Sequence, residues 1–387
     1  MKPSASSAIS HNLPDIPVLR PMLPTADCVV PYLRHIDSTR HYTNHGPLVC
    51  EFEARIAESL RVKPDCVASA SSGTAAIAGA ILASAGRATA EHPLALLPAF
   101  TFVGTAMAAE QCGYRPYLAD IDPETWMLDP ARIVNLPVLS HIGVVIPVAP
   151  FGRAVHQGPW REFQAQTGIP VVIDGAACYA EIRDKPQSFV GSIPIGLSFH
   201  ATKSFSTGEG GGVVAVNPDL IQRVVMGLNF GCYGSREARS PGSNGKMSEY
   251  HAAVGLAEFD GWSQKRHGFE TAADGYRDAA ADLGLSDRFY LTPDIGMPYA
   301  IIRCRDPFEA SHVQLALGEA NVGWRLWYGT GLHHHSYFFN AQRGDLRTTD
   351  DVAPRLIGVP MAPDMTQAQV RHVTTVLAAA VRSKHAG

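Results

Sequence analysis

Short apolar runs alternate with longer segments of helical periodicity over the first 240 or so residues. Residues 48–60 and 74–86 show apolar positions at helical spacing, and Gly86 marks the end of the second segment. Five runs are β-rich, apolar on both faces and bounded by Pro, Gly or Asp: 94–100, 115–122, 141–148, 170–176 and 212–216. Such runs are typical of buried parallel strands with helices between them. The pattern predicts an α/β fold that binds ligands beyond the carboxyl ends of its strands.

The pattern changes after about residue 240. Residues 251–283 form one long Ala-rich helical segment, 299–304 predict a strand, and 311–320 and 366–382 predict helices. The first 20 residues are rich in Ser and Pro and predict a loose arm. We therefore expect an arm (1–20), a large α/β domain (21–240) and a smaller α+β domain (241–387).

Composition narrows the class of protein. Of the 387 residues, 46% are hydrophobic and 18% are charged, which suits a globular chain with a large core. The formal net charge of −4 argues against nucleic acid or an anionic membrane as a partner. No apolar stretch is long enough for a transmembrane helix, and the N-terminus lacks the apolar region of a secretory signal. Seven scattered cysteines without a C-x-x-C pair fit a cytoplasmic protein.

Three segments carry candidate chemistry. ASASSGTAAIAG (68–79) places Gly and hydroxyl residues before a helix, as either an N-cap or a phosphate site does. Asp174 ends an apolar run, either as a turn residue or as the partner of a ring nitrogen. Lys203 precedes a run of glycines, either as a surface lysine or as an imine-forming nucleophile. Together they meet the needs of pyridoxal 5'-phosphate (PLP): phosphate donors, a pyridinium partner and a Schiff-base lysine.

Five segments of the chain resemble one family in the same order. They are YTNHGPLVCEFEARIAESL, SSGTAAIAGAILA, LPAFTFVGTAMAAEQCGYRPYLADIDPETWMLDP, SFHATKSFSTGEGGGVVAV and GSNGKMSEYHAAVGLAEF. These are similar to segments of the DegT/DnrJ/StrS sugar aminotransferases. The resemblance extends from about residue 18 to the C-terminus. It implies PLP fold type I (aspartate aminotransferase-like), with a large, mostly parallel-sheet domain and a smaller α+β C-terminal domain.

The resemblance also implies roles for single residues. Lys203 would be the Schiff-base lysine and would carry the proton between the cofactor and the substrate carbon. Asp174 would pair with the pyridinium nitrogen. The phosphate binders would be Gly73, Thr74 and Ser198.

Two further roles follow from the same resemblance. Phe102 would stack over the cofactor ring, with core packing as the alternative. Asn244 would reach the phosphate of the neighbouring subunit's cofactor, which implies a homodimer with shared active sites.

Two positions depart from the family pattern. Ala177 stands where Gln or His usually contacts the phenolic oxygen of the cofactor, and Lys246 stands where Arg is usual. His200 fits a packed, hydrogen-bonded histidine better than an acid–base catalyst. Glu209, in the glycine-rich stretch, either fixes that loop or does more.

A run of three histidines, 333–335, raises the question of a metal site. Three consecutive histidines cannot all face one ion from a regular element, and companion Cys/His spacing is lacking. We therefore expect no metal. The Arg- and aromatic-rich segment 324–339 fits either a substrate-facing loop or surface packing.

These inferences predict a PLP-dependent aminotransferase. It would move an amino group, with glutamate as the expected donor, to a keto group of a nucleotide-linked deoxy sugar. Amination of a cyclitol or another ketose, PLP-dependent dehydration and a regulatory PLP-fold protein stay open as alternatives. Lys203 argues against the dehydrating relatives, in which His replaces the lysine. The sugar, the ring carbon and the stereochemistry are not determined by the sequence.

Overall fold

A computed structural model describes residues 15–291 and 297–382. Its helices are α1 (Ala26–Thr39), α2 (Pro47–Ser59), α3 (Gly73–Ser84), α4 (Val103–Gln111), α5 (Pro130–Ile133), α6 (Gln157–Thr167), α7 (Tyr179–Asp184), α8 (Pro186–Phe189), α9 (Pro218–Leu228), α10 (Glu249–Leu283), α11 (Pro307–Glu319), α12 (Arg347–Val352) and α13 (Gln367–Arg382). Its strands are β1 (Val67–Ala70), β2 (Leu94–Pro98), β3 (Arg115–Ala119), β4 (Ile142–Val145), β5 (Ile173–Asp174), β6 (Ile195–Ser198), β7 (Gly211–Val214), β8 (Phe289–Tyr290), β9 (Ala300–Arg303), β10 (Gln342–Arg343) and β11 (Leu356–Val359). Short 3-10 helices cover Pro64–Cys66, Leu139–His141, Pro150–Gly152, Leu332–His334 and Ala353–Arg355.

The large sheet is continuous across two ladders. One ladder has the order β1-β7-β6-β5 and the other β10-β3-β2-β4. Parallel bridges pair Val145 with Val171 and Val148 with Asp174, so the chain beyond β4 lies alongside β5. The sheet is mostly parallel, as the apolar runs predict, and helices such as α3 and α9 cover it. The predicted fold class is thereby confirmed.

The predicted direction of one strand is wrong. The apolar pattern predicts a parallel strand at 212–216, but β7 runs antiparallel to both β6 and β1. A parallel return needs a crossover, usually a helix, whereas the connection from β6 to β7 contains no helix. The chain therefore turns back on itself, and this hairpin connection contains Lys203.

The apolar pattern also missed three strands of the large sheet: the exposed, two-residue β10 and the longer β1 and β6. Strand β1 has the sequence VASA, and β6 has the sequence IGLS. Both are fully buried yet poor in the β-branched and aromatic residues that mark strands in a sequence. Small residues are needed here, because a Cβ on Gly196 of β6 would lie 2.7 Å from the Ile77 side chain of α3.

The C-terminal third builds a second, antiparallel sheet of order β11-β9-β8. The strand predicted at 299–304 and the three helices predicted after residue 240 are confirmed as β9, α10, α11 and α13. Helix α10 joins two cores: Ala252 and Leu256 belong to the core beneath the large sheet, whereas Phe269 and Tyr276 pack with the small sheet. The domain boundaries at residues 20 and 240 stay a prediction.

The described part of the N-terminal arm pairs with the segment that follows α11. Ile16 bridges Val322, and the Gly323 amide donates to the Ile16 carbonyl at 2.8 Å. The rest of the predicted arm, residues 1–14, lies outside the described residues. Among the described helices, none combines the length and the apolar character needed to cross a membrane.

Candidate active site

A cavity of about 320 Å³ lies where five strands of the large sheet end. Its walls come from the segments that follow β1, β2, β4, β5 and β6, which is the usual ligand position in an open α/β sheet. Six of the seven predicted site residues line it: Gly73, Thr74, Phe102, Asp174, Ser198 and Lys203. The structure thus brings together residues that the sequence separates by up to 130 positions.

The N-terminus of α3 forms one end of the cavity. Ser72 caps the helix, since its hydroxyl accepts a hydrogen bond from the Ala75 amide at 3.1 Å. The amides of Gly73 and Thr74 belong to the first turn, whose N–H groups have no partner within the helix. The helix dipole adds partial positive charge at the same end. With the Ser198 hydroxyl beside them, these groups suit a phosphate.

The close approach of Gly73 to Ser198 yields a test. A Cβ at position 73 would lie 2.7 Å from the Ser198 Cβ, so Gly73→Ala should displace the side chain of Ser198, which is predicted to bind phosphate. We expect roughly tenfold weaker PLP binding, about the effect of one lost charge-assisted hydrogen bond. Titration of the cofactor-free protein with PLP measures this effect. Gly261→Ala is the matched control, because a Cβ there meets nothing within 4 Å. Equal PLP affinity in both variants would contradict the predicted phosphate site.

Asp174 lies at the end of β5, 5% exposed. Its Oδ2 accepts a hydrogen bond from the Thr105 hydroxyl at 2.6 Å, and its Oδ1 accepts one from the Ala176 amide at 3.0 Å. Burial raises the pKa of the Asp174 carboxyl, although these two hydrogen bonds and the charge of Lys203 act in the opposite direction. A carboxylate held in this way is favoured by a cationic partner, such as a protonated ring nitrogen.

Lys203 projects from the hairpin between β6 and β7. Backbone hydrogen bonds close this loop: the Lys203 amide donates to the His200 carbonyl at 2.9 Å, and the Ala201 amide to the Gly208 carbonyl at 2.8 Å. The Glu258 carboxylate accepts from the Ser206 amide at 3.2 Å and also pairs with Lys265, so a buried ion pair braces the loop. The Lys203 amine is half-buried and donates to the Tyr299 hydroxyl at 3.4 Å.

His200 and Glu209 both line the cavity. The Nδ1 of His200 lies 2.8 Å from the Thr202 hydroxyl, and its Nε2 lies 3.7 Å from a Glu209 carboxylate oxygen. His200 is therefore a hydrogen-bonded residue that ties together the two ends of the lysine loop. The contact with Glu209 is too long for a hydrogen bond, so a role of Glu209 in fixing that loop stays a prediction.

Aromatic side chains form two faces of the cavity. Phe102 is 63% exposed as the N-cap residue of α4, so it is not a core residue. Tyr299, Trp327 and Tyr328 line another face, and the Tyr328 ring stacks on Phe151 with centroids 4.9 Å apart. Arg325 lies over the Trp327 ring. Part of the predicted substrate-facing segment 324–339 thus reaches the cavity.

Ala177, which stands where the family usually has Gln or His, lines the cavity and is 7% exposed. The neighbouring Cys178 is buried, and burial raises the pKa of its thiol. Its sulfur donates to the Gly175 carbonyl at 3.3 Å, so this thiol is a packed group.

The histidine run lies outside the lining of the cavity. His333 is buried, and its Nε2 lies 2.7 Å from Oδ1 of Asp350, which is also 3.2 Å from Nε2 of His334. Burial lowers the pKa of His333 in spite of its hydrogen bond to Asp350. These three side chains offer ligand atoms within 4.8 Å of one another and could hold a metal ion. The expectation of no metal rests on the lack of companion Cys or His residues, whereas the companion in the structure is the carboxylate of Asp350.

Asn244 is the predicted site residue that does not line the cavity. Its Oδ1 accepts a hydrogen bond from Lys246 at 2.7 Å, and its backbone pairs with Asn229. Lys246 lines a separate, polar cavity of about 630 Å³. Asn244 therefore makes no contribution to the Lys203 cavity of its own chain.

The sequence interpretation missed Thr105 and Tyr299. Thr105 follows Phe102 by one helical turn and shares a 2.8 Å hydrogen bond with Thr101, so the hydroxyl pattern in AFTFVGT was an available signal. In the sequence, Tyr299 is only the first residue of the strand predicted at 299–304. Nothing in the local sequence indicates that its side chain meets Lys203.

The residues around the cavity fit PLP. A volume of about 320 Å³ is in the range of small-molecule sites, roughly 300–1,000 Å³. Unpaired amides at a helix N-terminus, a buried carboxylate and a primary amine line the same space. These are the donor, charge and nucleophile that the phosphate, ring nitrogen and aldehyde of PLP need.

Comparison with known proteins gives the same assignment. The DegT/DnrJ/EryC1/StrS aminotransferase family matches residues 27–378. The chain is 33% identical to protein Rv3402c of Mycobacterium tuberculosis, over 91% of this chain and 88% of that one. It is 26% identical to a dTDP-4-amino-4,6-dideoxy-D-glucose transaminase of Shigella dysenteriae, over 93% and 97%. A solved structure from Bacillus cereus, assigned as a PLP-dependent aminotransferase, superposes with a TM-score of 0.84 at 28% identity, over 94% and 99%. The chain therefore belongs to the DegT/DnrJ/EryC1/StrS aminotransferase family and is a transaminase that uses pyridoxal 5'-phosphate.

Proposed function

We propose that this enzyme transfers an amino group from glutamate to a keto group of a nucleotide-linked deoxy sugar. The observation that carries the proposal is the convergence of Lys203, Asp174 and the α3 N-terminus on one cavity with an aromatic, Arg-containing wall. A relative that spans nearly the whole chain is a transaminase of a dTDP-linked amino sugar, which supports the sugar nucleotide as acceptor.

Each group that lines the cavity is assigned to a different part of the cofactor. When bound, PLP supplies an electron sink for the carbon that loses or gains the amino group. The amides of Gly73 and Thr74 and the Ser198 hydroxyl, which line the cavity, would hold its phosphate. The Asp174 carboxylate keeps negative charge at the buried end of the site, where it favours a protonated ring nitrogen. The exposed Phe102 ring offers a flat face for stacking.

Lys203 is the mobile acid–base group of the site. Its Nζ would carry the proton from the donor carbon to the bound cofactor in the first half-reaction and from the cofactor to the acceptor carbon in the second. The side chain is half-buried in the lining of the cavity, so its amine lies at the site and does not extend freely into bulk solvent. Arg325, at the wall formed by Trp327, is suited to an anionic part of the substrate, because a guanidinium binds carboxylate or phosphate with two hydrogen bonds.

A two-step experiment tests the proposal. The protein with bound PLP is mixed with single amino acids, and glutamate is expected to discharge its visible absorbance. The protein treated in this way is then offered nucleotide-linked keto-sugars, cyclitol ketones and free ketoses, and the aminated product is identified by mass spectrometry. Amination of a nucleotide-linked keto-sugar supports the proposal. Exclusive amination of a cyclitol, or no reaction with any amino acid, contradicts it.

We further propose that the enzyme is a homodimer in which Asn244 serves the partner's site. The support is that Asn244 lies outside the cavity of its own chain. Aromatic side chains close to it in sequence, Phe230 and Tyr233, are about half exposed. Sedimentation equilibrium measures the oligomeric state, and a monomer at micromolar concentration would contradict this part of the proposal.

We also propose a cytoplasmic location. All seven cysteines are free thiols, which suits a reducing compartment. Fractionation of the source cells tests this, and recovery from an extracytoplasmic fraction would contradict it.

A further inference from the structure

We propose that Tyr299 is a positioning residue for Lys203: its hydroxyl holds the lysine amine in place whenever the amine is free. The inference rests on the proposed function, since a free amine that carries a proton is needed there. Its basis is the hydrogen bond between Lys203 Nζ and the Tyr299 hydroxyl, 3.4 Å long, across the cavity wall. The two residues are 96 positions apart and come from different sheets.

The tyrosine ring has little freedom to move. Tyr299 is 7% exposed and directly precedes β9, whose first residue, Ala300, pairs with Val359 of β11. The ring meets Trp327 edge-on with centroids 5.1 Å apart, and the Phe151 centroid lies 6.0 Å away. A hydroxyl on a fixed ring is a fixed point, whereas the lysine side chain has four rotatable bonds and loses much entropy when it is held.

A hydroxyl suits this task better than a charged group. It accepts a hydrogen bond from an ammonium group and donates one to a neutral amine, so it can hold Lys203 before and after proton transfer. A carboxylate would accept only, and it would favour the charged amine over the neutral one. Tyr299 neither takes the proton nor forms a bond to carbon in this scheme. It acts through Lys203.

The first test measures covalent attachment of PLP without any substrate. Cofactor-free protein is mixed with PLP, and the growth of visible absorbance gives the rate at which Lys203 reacts. We expect Tyr299→Phe to be roughly tenfold to hundredfold slower than the natural protein, because a small misplacement of a reacting group has an effect of this size. Tyr114→Phe is the matched control: it also removes one hydroxyl from a buried tyrosine with a single 3.3 Å hydrogen bond, outside the cavity lining. An unchanged attachment rate in Tyr299→Phe would overturn the proposal.

The second test separates an action on the lysine from an action on the cofactor. In a Lys203→Met background PLP binds without a covalent bond, and equilibrium dialysis gives its affinity. We expect Tyr299→Phe to leave that affinity within about twofold, since its target side chain is gone. A clearly weaker affinity would show that Tyr299 contacts PLP itself and would also overturn the proposal. Thermal unfolding of each variant checks that the fold is retained.

The results of both tests do not depend on which acceptor substrate the enzyme uses. No amino acid or sugar enters either measurement, so a wrong assignment of the donor or the sugar leaves both results interpretable. Conversely, the substrate screen can succeed with the natural protein even if Tyr299→Phe has the same rate of PLP attachment as the natural protein.

Discussion

Replacement of Lys203 by alanine is expected to lower kcat/KM for transamination by roughly 10³- to 10⁴-fold, the upper part of the range for loss of a positioned acid–base group. In the proposed mechanism, this variant would lose both the covalent attachment of PLP and the amine that moves the proton. The other groups that line the cavity are unchanged, so PLP should still bind, noncovalently. Steady-state assays with the acceptor found in the substrate screen give the rate, and the visible spectrum reports the missing covalent bond.

Two comparisons make the Lys203 result specific. Lys63→Ala removes an exposed lysine outside the cavity and should leave the rate unchanged. A small primary amine added to Lys203→Ala should restore part of the activity, since it can enter the space that the side chain leaves. An undiminished rate in Lys203→Ala would show that the mechanism is wrong.

Asp174→Asn is expected to lower kcat by about 10²- to 10³-fold, similar to the loss of one preorganised electrostatic group in a buried site. The amide is nearly the same size and can still accept the Ala176 hydrogen bond, while the Thr105 hydroxyl can turn to Thr101 at 2.8 Å. The change therefore removes charge with little effect on packing. Rates of discharge by the amino donor measure the effect. A variant as fast as the natural enzyme would mean that the carboxylate does not support the cofactor ring.

The same substitution should act in the opposite direction on the stability of the cofactor-free protein. Burial raises the pKa of Asp174 above the ordinary value of 3.8. The folded state therefore binds more protons than the unfolded chain between the two pKa values, and stability falls as pH rises through that window. Asp174→Asn escapes this loss, so its unfolding midpoint should be higher at neutral pH by a few degrees, with the gain disappearing below the ordinary aspartate pKa. A lower midpoint at neutral pH would contradict the direction of the shift.

The Asp174 carboxylate is thus expected to support catalysis while it lowers the stability of the cofactor-free protein. Burial disfavours the Asp174 carboxylate in the cofactor-free protein, so the proposed pairing with a cationic ring nitrogen would link cofactor binding to folding. The lysine loop is likewise held by Glu258 and Lys265, a buried charge pair outside the cavity lining.

Local signals in the sequence predicted most of the large sheet. The apolar runs at 94–100 and 115–122 became β2 and β3, since continuous burial on both faces leaves a clear pattern. The strands β1 and β6 left no such pattern. Their Ala, Ser and Gly residues allow close packing against α3 and neighbouring strands, but such residues do not mark a strand in the sequence. The direction of β7 depended on the connection before it and not on its own residues.

The sequence by itself determined the chemical groups of the site and their order along the chain. The hydroxyl cluster before α3, Asp174 after an apolar run and Lys203 before the glycines are each readable because a strand end or a helix start is a local event. Only the tertiary structure decided which distant side chains meet them: Thr105 at Asp174, Tyr299 at Lys203, and Asp350 at the histidine run. The physical reason is that periodicity reports which face of a segment is buried but not what covers it, and these contacts join segments that lie far apart in the chain.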